Sequence, residues 1–413
     1  MTLFRPAAHA LVLVLVPASL IWWPIGVIPG LGTITISDAI LITLWALTAL
    51  GVGAARHLGW RARTAIGIAL LPLAVGGLGA LAAWLSSGSP GDAALELSLH
   101  LKKYGLAAVL PLALVVFPVR RLAAAVRVVI VCTLLASSLA VIFPELADRL
   151  PLAARIQEDD PEFEEGRSVG LGSNPNDFAY TSMGLAVLDL ALARRRRGAL
   201  AWAGDAIVLA SAGFNVVASA SRSGMLAAAA ATAYLLVRWR GAPVARIAIA
   251  GMLAVAVVLG LRYDDAFAER TVRFFRQGAG EANLAGRLAA QRSALATAVE
   301  HPLGVGSRHT IPAMTPHLAG YGNYLGTTDS LYMDTLLASG FLGLVALLLL
   351  LRRGWLLISR CDDGRRRVLL QAGFIAFLTA GLASVSPASF FVAPTFFLLV
   401  AVSTLEPSVP QLS

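Results

Sequence analysis

Residues 329–353 read DSLYMDTLLASGFLGLVALLLLLRR. The apolar stretch through Leu351 is long enough to cross a hydrocarbon core, which takes about 20 helical residues. It stops at Arg352-Arg353, a basic pair of the kind that anchors a span on the cytoplasmic side. The pattern recurs from end to end, with further candidate spans near 7–23, 38–55, 64–85, 104–119, 122–143, 175–193, 199–217, 223–238, 245–261, 367–385 and 388–405. That makes about twelve. The 413 residues are 57% hydrophobic and 14% charged, whereas soluble domains carry roughly a quarter charged residues. The expected fold class is all-α and polytopic, with residues 1–413 forming one integral membrane domain.

The basic residues orient the spans. Arg56, Arg61, Arg63, Arg120, Arg121, Arg194–Arg197, Arg238, Arg240, Arg246, Arg352, Arg353, Arg360 and Arg365–Arg367 fall in alternate loops, so that side is cytoplasmic and both termini lie there. The net charge of +9 belongs to this topology signal and not to nucleic-acid binding. The run from Ala7 to Trp23 is a first span, because Trp22-Trp23-Pro24 is a poor cleavage site for a signal peptide. Cys132 and Cys361 do not make a disulfide framework and are expected to stay unpaired. On the opposite side lie Ser86–Lys103, Phe143–Ser173 and a large loop, 262–328, far longer than a connector needs to be. In that loop Arg270, Arg273 and Arg276 recur beside Phe267, Phe274 and Phe275, the pattern of an interfacial helix. A second short helix is expected from Glu281 through Val299, ended by His301-Pro302.

Three outward-facing segments carry chemistry. Arg167-Ser-Val-Gly-Leu-Gly-Ser-Asn-Pro-Asn176 opens the sixth span, and a helix start offers free N–H groups to an anion; a plain turn is the competing reading. Ser219-Ala-Ser-Arg222-Ser-Gly224 opens the eighth. Its small residues allow close helix approach but leave Arg222 to be explained, by a ligand or by snorkelling to the interface. Lys102-Lys103-Tyr104 is a basic pair on the wrong side for topology. It meets lipid or substrate phosphate there, or forms a solvated helix end. The large loop adds Arg287, Arg292, His301, Arg308, His309 and His317, without a metal-ligand spacing. The acidic run Glu158–Glu165 reads as a solvated loop. No Walker or Rossmann glycine pattern is present, which argues against nucleotide-driven chemistry, and no cofactor is expected.

Taken in order, these segments resemble the O-antigen ligase and O-antigen polymerase superfamily of bacterial inner-membrane glycosyltransferases. The resemblance rests on Arg167, Gly170 and Asn174–Asn176, then Ser221–Gly224, then Gly286-Arg287 with His301–Gly306, and last Asp329–Tyr332 leading to Gly340–Gly343. It covers residues 160–345 well. It implies metal-independent transfer, on the periplasmic side, of a glycan from undecaprenyl pyrophosphate to an acceptor hydroxyl. Arg222 and Arg287 would contact the pyrophosphate, Lys102 or Lys103 would assist, and Arg167, Asn176, Arg292, His317 and Tyr332 would line the substrate site. Fixed cations suit a leaving group that gathers negative charge.

The sequence departs from the ligase pattern at one place. Ligases carry a His-Asn pair about eleven residues before the first glycine of Gly-x-x-Gly; here Asp329-Ser330 stand eleven residues before Gly340. An Asp can accept the acceptor's proton and resembles the polymerase branch, whereas His317 would need another loop path. The expected function is therefore polymerisation of O-antigen or exopolysaccharide repeat units, with ligation to lipid A-core as the alternative. A transporter or flippase of lipid-linked glycan is the reading from another class, disfavoured because the cations cluster outside and no inverted repeat is evident. Expected partners are the lipid-linked oligosaccharide, membrane lipids and a chain-length regulator, but not nucleic acid.

Overall fold

The computed structural model describes residues 4–21, 24–28, 32–53, 59–117, 123–143, 145, 174–193, 199–238, 282–318, 328, 330–383 and 392–405. Its helices are α1 (Arg5–Ala18), α2 (Ile36–Gly53), α3 (Trp60–Ser87), α4 (Pro90–His100), α5 (Leu110–Val116), α6 (Ala123–Ile142), α7 (Pro175–Leu192), α8 (Ala199–Ala218), α9 (Arg222–Arg238), α10 (Ala282–Glu300), α11 (Thr310–Met314), α12 (Leu331–Ser359), α13 (Gly364–Ala383) and α14 (Val392–Val402). Four of them (α2, α3, α6 and α12) are long and apolar enough to cross a membrane. The expected span 245–261, the expected interfacial helix around Phe267–Arg276 and the acidic run Glu158–Glu165 lie outside the described residues.

Two elements correct the sequence reading. The chain is not purely helical: β1 (Pro24–Ile28) and β2 (Gly32–Thr35) form an antiparallel hairpin between α1 and α2, with Val27 opposite Thr33 and Ile28 opposite Gly32. The sequence reading makes these residues a connector between the first two spans, but β-branched side chains punctuated by Pro and Gly favour a hairpin. The second correction concerns Ser86–Lys103, expected to be an external connector before a span starting at Tyr104. The chain instead turns at Gly88 (φ 68°) and starts α4 with Ser89 as cap, its Oγ accepting the Asp92 N–H at 3.3 Å, and Pro90 behind it. The helix then runs into a π-turn over Leu101–Gly105, and the two halves, Pro90–Gly105 and Ala107–Val116, meet at 47°.

Polar contacts fix which helix ends lie together. At one end Arg61 pairs with Asp362 at 2.7 Å, joining the start of α3 to the end of α12. There too Arg366 donates to the carbonyls of Ala191 and Leu405, tying in the ends of α7 and α14. Cys361 is buried in the same region, and burial pushes its thiol up, so it stays protonated and unreactive. Arg127 binds Asp189 through Nε and Nη2 (2.9 and 3.0 Å) and Asp205 through Nη2 (2.8 Å). This joins the start of α6 to the end of α7 and the start of α8. The opposite end therefore gathers the C-terminus of α3, the α8–α9 turn and the starts of α7 and α12.

Breaking a buried ion pair from one side costs about 3–5 kcal/mol, because the remaining charge stays buried. Arg127→Leu is accordingly expected to destabilise the protein in detergent by an amount of that order, and adding Asp189→Asn and Asp205→Asn should return much of it. Thermal unfolding of the single and triple variants checks this.

Candidate active site at the α7–α9–α12 end

The segment His301–Gly306 crosses α12 where that helix breaks. Gly340 has φ 67° and ψ −171° inside the helix, so the Phe341 N–H cannot reach the Leu337 carbonyl and donates to Pro302 O at 3.0 Å instead. The carbonyls of Leu337 and Ala338 then accept the N–H groups of Val305 (2.7 Å) and Gly306 (3.1 Å). Gly304 (φ 88°) sits so close that a Cβ there would lie 2.6 Å from the Gly340 nitrogen. Positive φ and backbone contact both require glycine at these positions. The crossing places Ser307 beside α4, with Gly306 against Ala83 of α3.

Ionisable side chains from three segments meet beside this crossing. Ser307 Oγ donates to Glu96 Oε1 at 2.6 Å, and the same oxygen lies 3.2 Å from His100 Nδ1. His100 Nε2 faces Ser339 Oγ at 3.4 Å, and Tyr104 packs edge-on against the imidazole. Glu96, His100 and Tyr104 are buried, and Gly79 of α3 gives them room: a Cβ there would come within 3.1 Å of His100 and 2.9 Å of Ser339 Oγ. Next to them Lys103 Nζ donates to Asp334 Oδ2, in the first turn of α12, at 3.3 Å.

At the starts of α7 and α9 two further segments lock together. Asn174 Oδ1 accepts the Asn176 N–H at 2.8 Å, with Pro175 opening α7. Ser221 Oγ donates to Asn176 Oδ1 at 2.7 Å while accepting the Gly224 N–H at 3.0 Å. Gly224 lets α9 approach α7, since a Cβ would lie 2.7 Å from that of Ala179. Among the described residues Ala220 is the single non-glycine with positive φ, 47°. Such a residue is strained by roughly 1–2 kcal/mol, and strain of this kind concentrates at functional sites. It stands two residues before Arg222, which opens α9 half-buried.

Residues 206–348 match the family described as O-antigen ligase. This segment is similar to that family. It spans about a third of the chain, from α8 through the break in α12. No curated protein matches the chain. The matched segment therefore contains the strained turn, Arg222, α10, the His301–Gly306 crossing and the start of α12, whereas α4, the π-turn and all of α7 lie outside it. With the apolar helices, the match supports a membrane protein related to the O-antigen ligase and polymerase superfamily.

The residues singled out in the sequence fall as follows. Asn176 and the Arg222 turn are brought together. Lys103 joins Asp334. Arg287 is half-buried on α10, whose Ala290, Ala294 and Ala298 pack with Leu336 and Leu337 in the first half of α12. Arg292 on the same helix is exposed. Lys102 is not at a solvated helix end: it is buried, with the charge of Asp38 at the start of α2 acting on it. His317 pairs with exposed Glu300 at 3.1 Å, a surface contact worth little. Tyr332 donates to Leu378 O at 3.2 Å and lies against Gly381, joining α12 to α13. Arg167 and Asp329 lie outside the described residues. Sequence reasoning missed Glu96, His100 and Asp334. The signals were present: Glu96 and His100 share one helix face at i,i+4, and an acid inside an apolar span is a functional candidate by default.

Proposed function

We propose that the protein is a glycosyltransferase that polymerises surface-polysaccharide repeat units, moving a glycan from undecaprenyl pyrophosphate to an acceptor hydroxyl at the periplasmic face of the inner membrane. One observation carries this reading. Lys103, Arg222 and the helix bearing Arg287 belong to the same end of the bundle as the Asn176–Ser221 contact, opposite the end rich in arginine. Cations gathered away from the topology-setting side suit an anionic ligand, and a departing pyrophosphate is one. Arg222 and Arg287 take up the charge that grows on the leaving oxygen. Arg167, Asn176, Arg292 and Tyr332 belong to the substrate-binding surface, and a carboxylate at the start of α12 takes the acceptor's proton. Twelve spans with 262–328 outside and a chain-length regulator as partner complete the proposal.

Two measurements test it. Purified protein given lipid-linked repeat units should build polymer, read by mass spectrometry. Transfer to lipid A-core alone would establish the ligase reading, which the family description favours. An unconsumed donor in the presence of both acceptors would overturn transfer altogether. Topology is tested with Thr315→Cys and Asp362→Cys in a chain lacking Cys132 and Cys361. An impermeant thiol reagent should label position 315 and spare position 362 in intact cells; the reverse pattern would place the site in the cytoplasm.

A further inference from the structure

Two of the charge pairs among the described residues are built differently. Arg127 grips Asp189 with two nitrogens, and Asp189 is fully buried (0% exposed). That pair is a permanent joint. Lys103 meets Asp334 through a single 3.3 Å contact, with side chains 33% and 21% exposed. A lysine is a point charge on a flexible stem, and a partly exposed, single-contact pair is more readily exchanged for another partner than a buried two-point one. Lys103 sits on the π-turn, and such turns occur often at functional sites. Behind it stands the sealed Ser307–Glu96–His100–Ser339 chain. Among the described residues Glu96 Oε2 has no hydrogen-bond partner although it is buried. Asp334 and Glu96 both act electrostatically on Lys103, Asp334 in direct contact with it. A second anion arriving there would compete with Asp334 for the lysine.

We propose that Lys103 and Asp334 form an exchange pair: the donor pyrophosphate draws Lys103 away, and Asp334, so released, accepts the proton of the attacking hydroxyl. The inference rests on the transfer reading above. The acceptor oxygen forms its bond to the anomeric carbon, the bond from that carbon to the pyrophosphate oxygen breaks, the pyrophosphate leaves with the electron pair, and the hydroxyl proton passes to the Asp334 carboxylate. Before the donor binds, Asp334 is occupied, which keeps the base idle when there is no leaving group to replace. The assignment moves the base from Asp329, where the sequence pattern puts it, to an acid five residues further along.

Binding of undecaprenyl pyrophosphate and turnover of the lipid-linked repeat unit separate the possibilities in purified full-length protein. Asp334→Asn should lower turnover about 10²–10⁴-fold, the usual range for general-base assistance, with pyrophosphate bound at least as tightly as by wild type. Lys103→Gln should weaken pyrophosphate binding, with partial rescue by Lys103→Arg. Asp329→Asn should keep near-normal turnover. Lys103→Asp combined with Asp334→Lys should keep the wild-type melting temperature yet remain inactive. Restored turnover in that swapped variant would reduce the pair to a structural strut. A turnover loss confined to Asp329→Asn would return the base to the sequence-predicted position. Either result leaves the transfer reading standing; a wild-type protein that neither binds the pyrophosphate nor consumes the donor overturns both.

Discussion

Arg222→Ala is expected to reduce consumption of lipid-linked glycan about 10²–10³-fold, the usual loss when one fixed donor to a developing anion is removed. The protein should remain folded. The turn that presents Arg222 is held by Ser221, whose Oγ bonds Asn176 and the Gly224 N–H, and by the close approach of α7 and α9 at Gly224. None of these contacts uses the guanidinium. Arg222→Lys should recover little, because an ammonium cannot make a planar two-point contact with phosphate. Arg287→Ala on α10 should behave alike. The double variant should fall less than the product of the single losses if both arginines act on one leaving group. Kinetics on purified variants, with melting temperature as the folding control, check this; full activity in both single variants would remove the pyrophosphate assignment.

Gly340→Ala is expected to be the most damaging of the single-methyl changes. The residue has φ 67°, and a Cβ would collide with the Pro302 oxygen and the Leu303 carbonyl carbon. Both are backbone atoms that cannot rotate away. The conformational strain alone costs about 1–3 kcal/mol, and relieving the collision would pull His301–Gly306 off α12. The hydrogen bonds at Leu337, Ala338 and Phe341 would be lost with it, and Ser307 would leave Glu96. Folding yield and activity should fall together. Gly77→Ala is the control: its position on α3 is exposed with nothing within 4 Å of the added carbon. There the change should be neutral or stabilising by about 0.5–1 kcal/mol, the entropy a helical glycine forfeits. A folded, active Gly340→Ala protein would show that the crossing is not needed.

The sequence by itself determined much of the helical layout. Apolar runs of fixed length mark helices because a spanning segment must bond its backbone internally, and α10 was legible from the stop signal at His301-Pro302. The segments that lie in or beside the O-antigen ligase match were legible as ordered motifs, since Arg, Gly and Pro in apolar surroundings stand out singly. The hairpin at Pro24–Thr35 and helix α4 were less legible, because local composition there fits two states and neighbouring helices choose between them. Only the tertiary structure decided which motifs touch. Asn176 and Ser221 meet across 45 residues, Ser307 and Glu96 across 211, and Lys103 and Asp334 across 231. The helices that carry these groups are set by packing of small residues over their whole length, at Gly76, Gly79 and Ala83 of α3 and at Gly224 of α9. A motif names the residue that a site needs, whereas the partner it meets depends on how helices distant in sequence settle side by side.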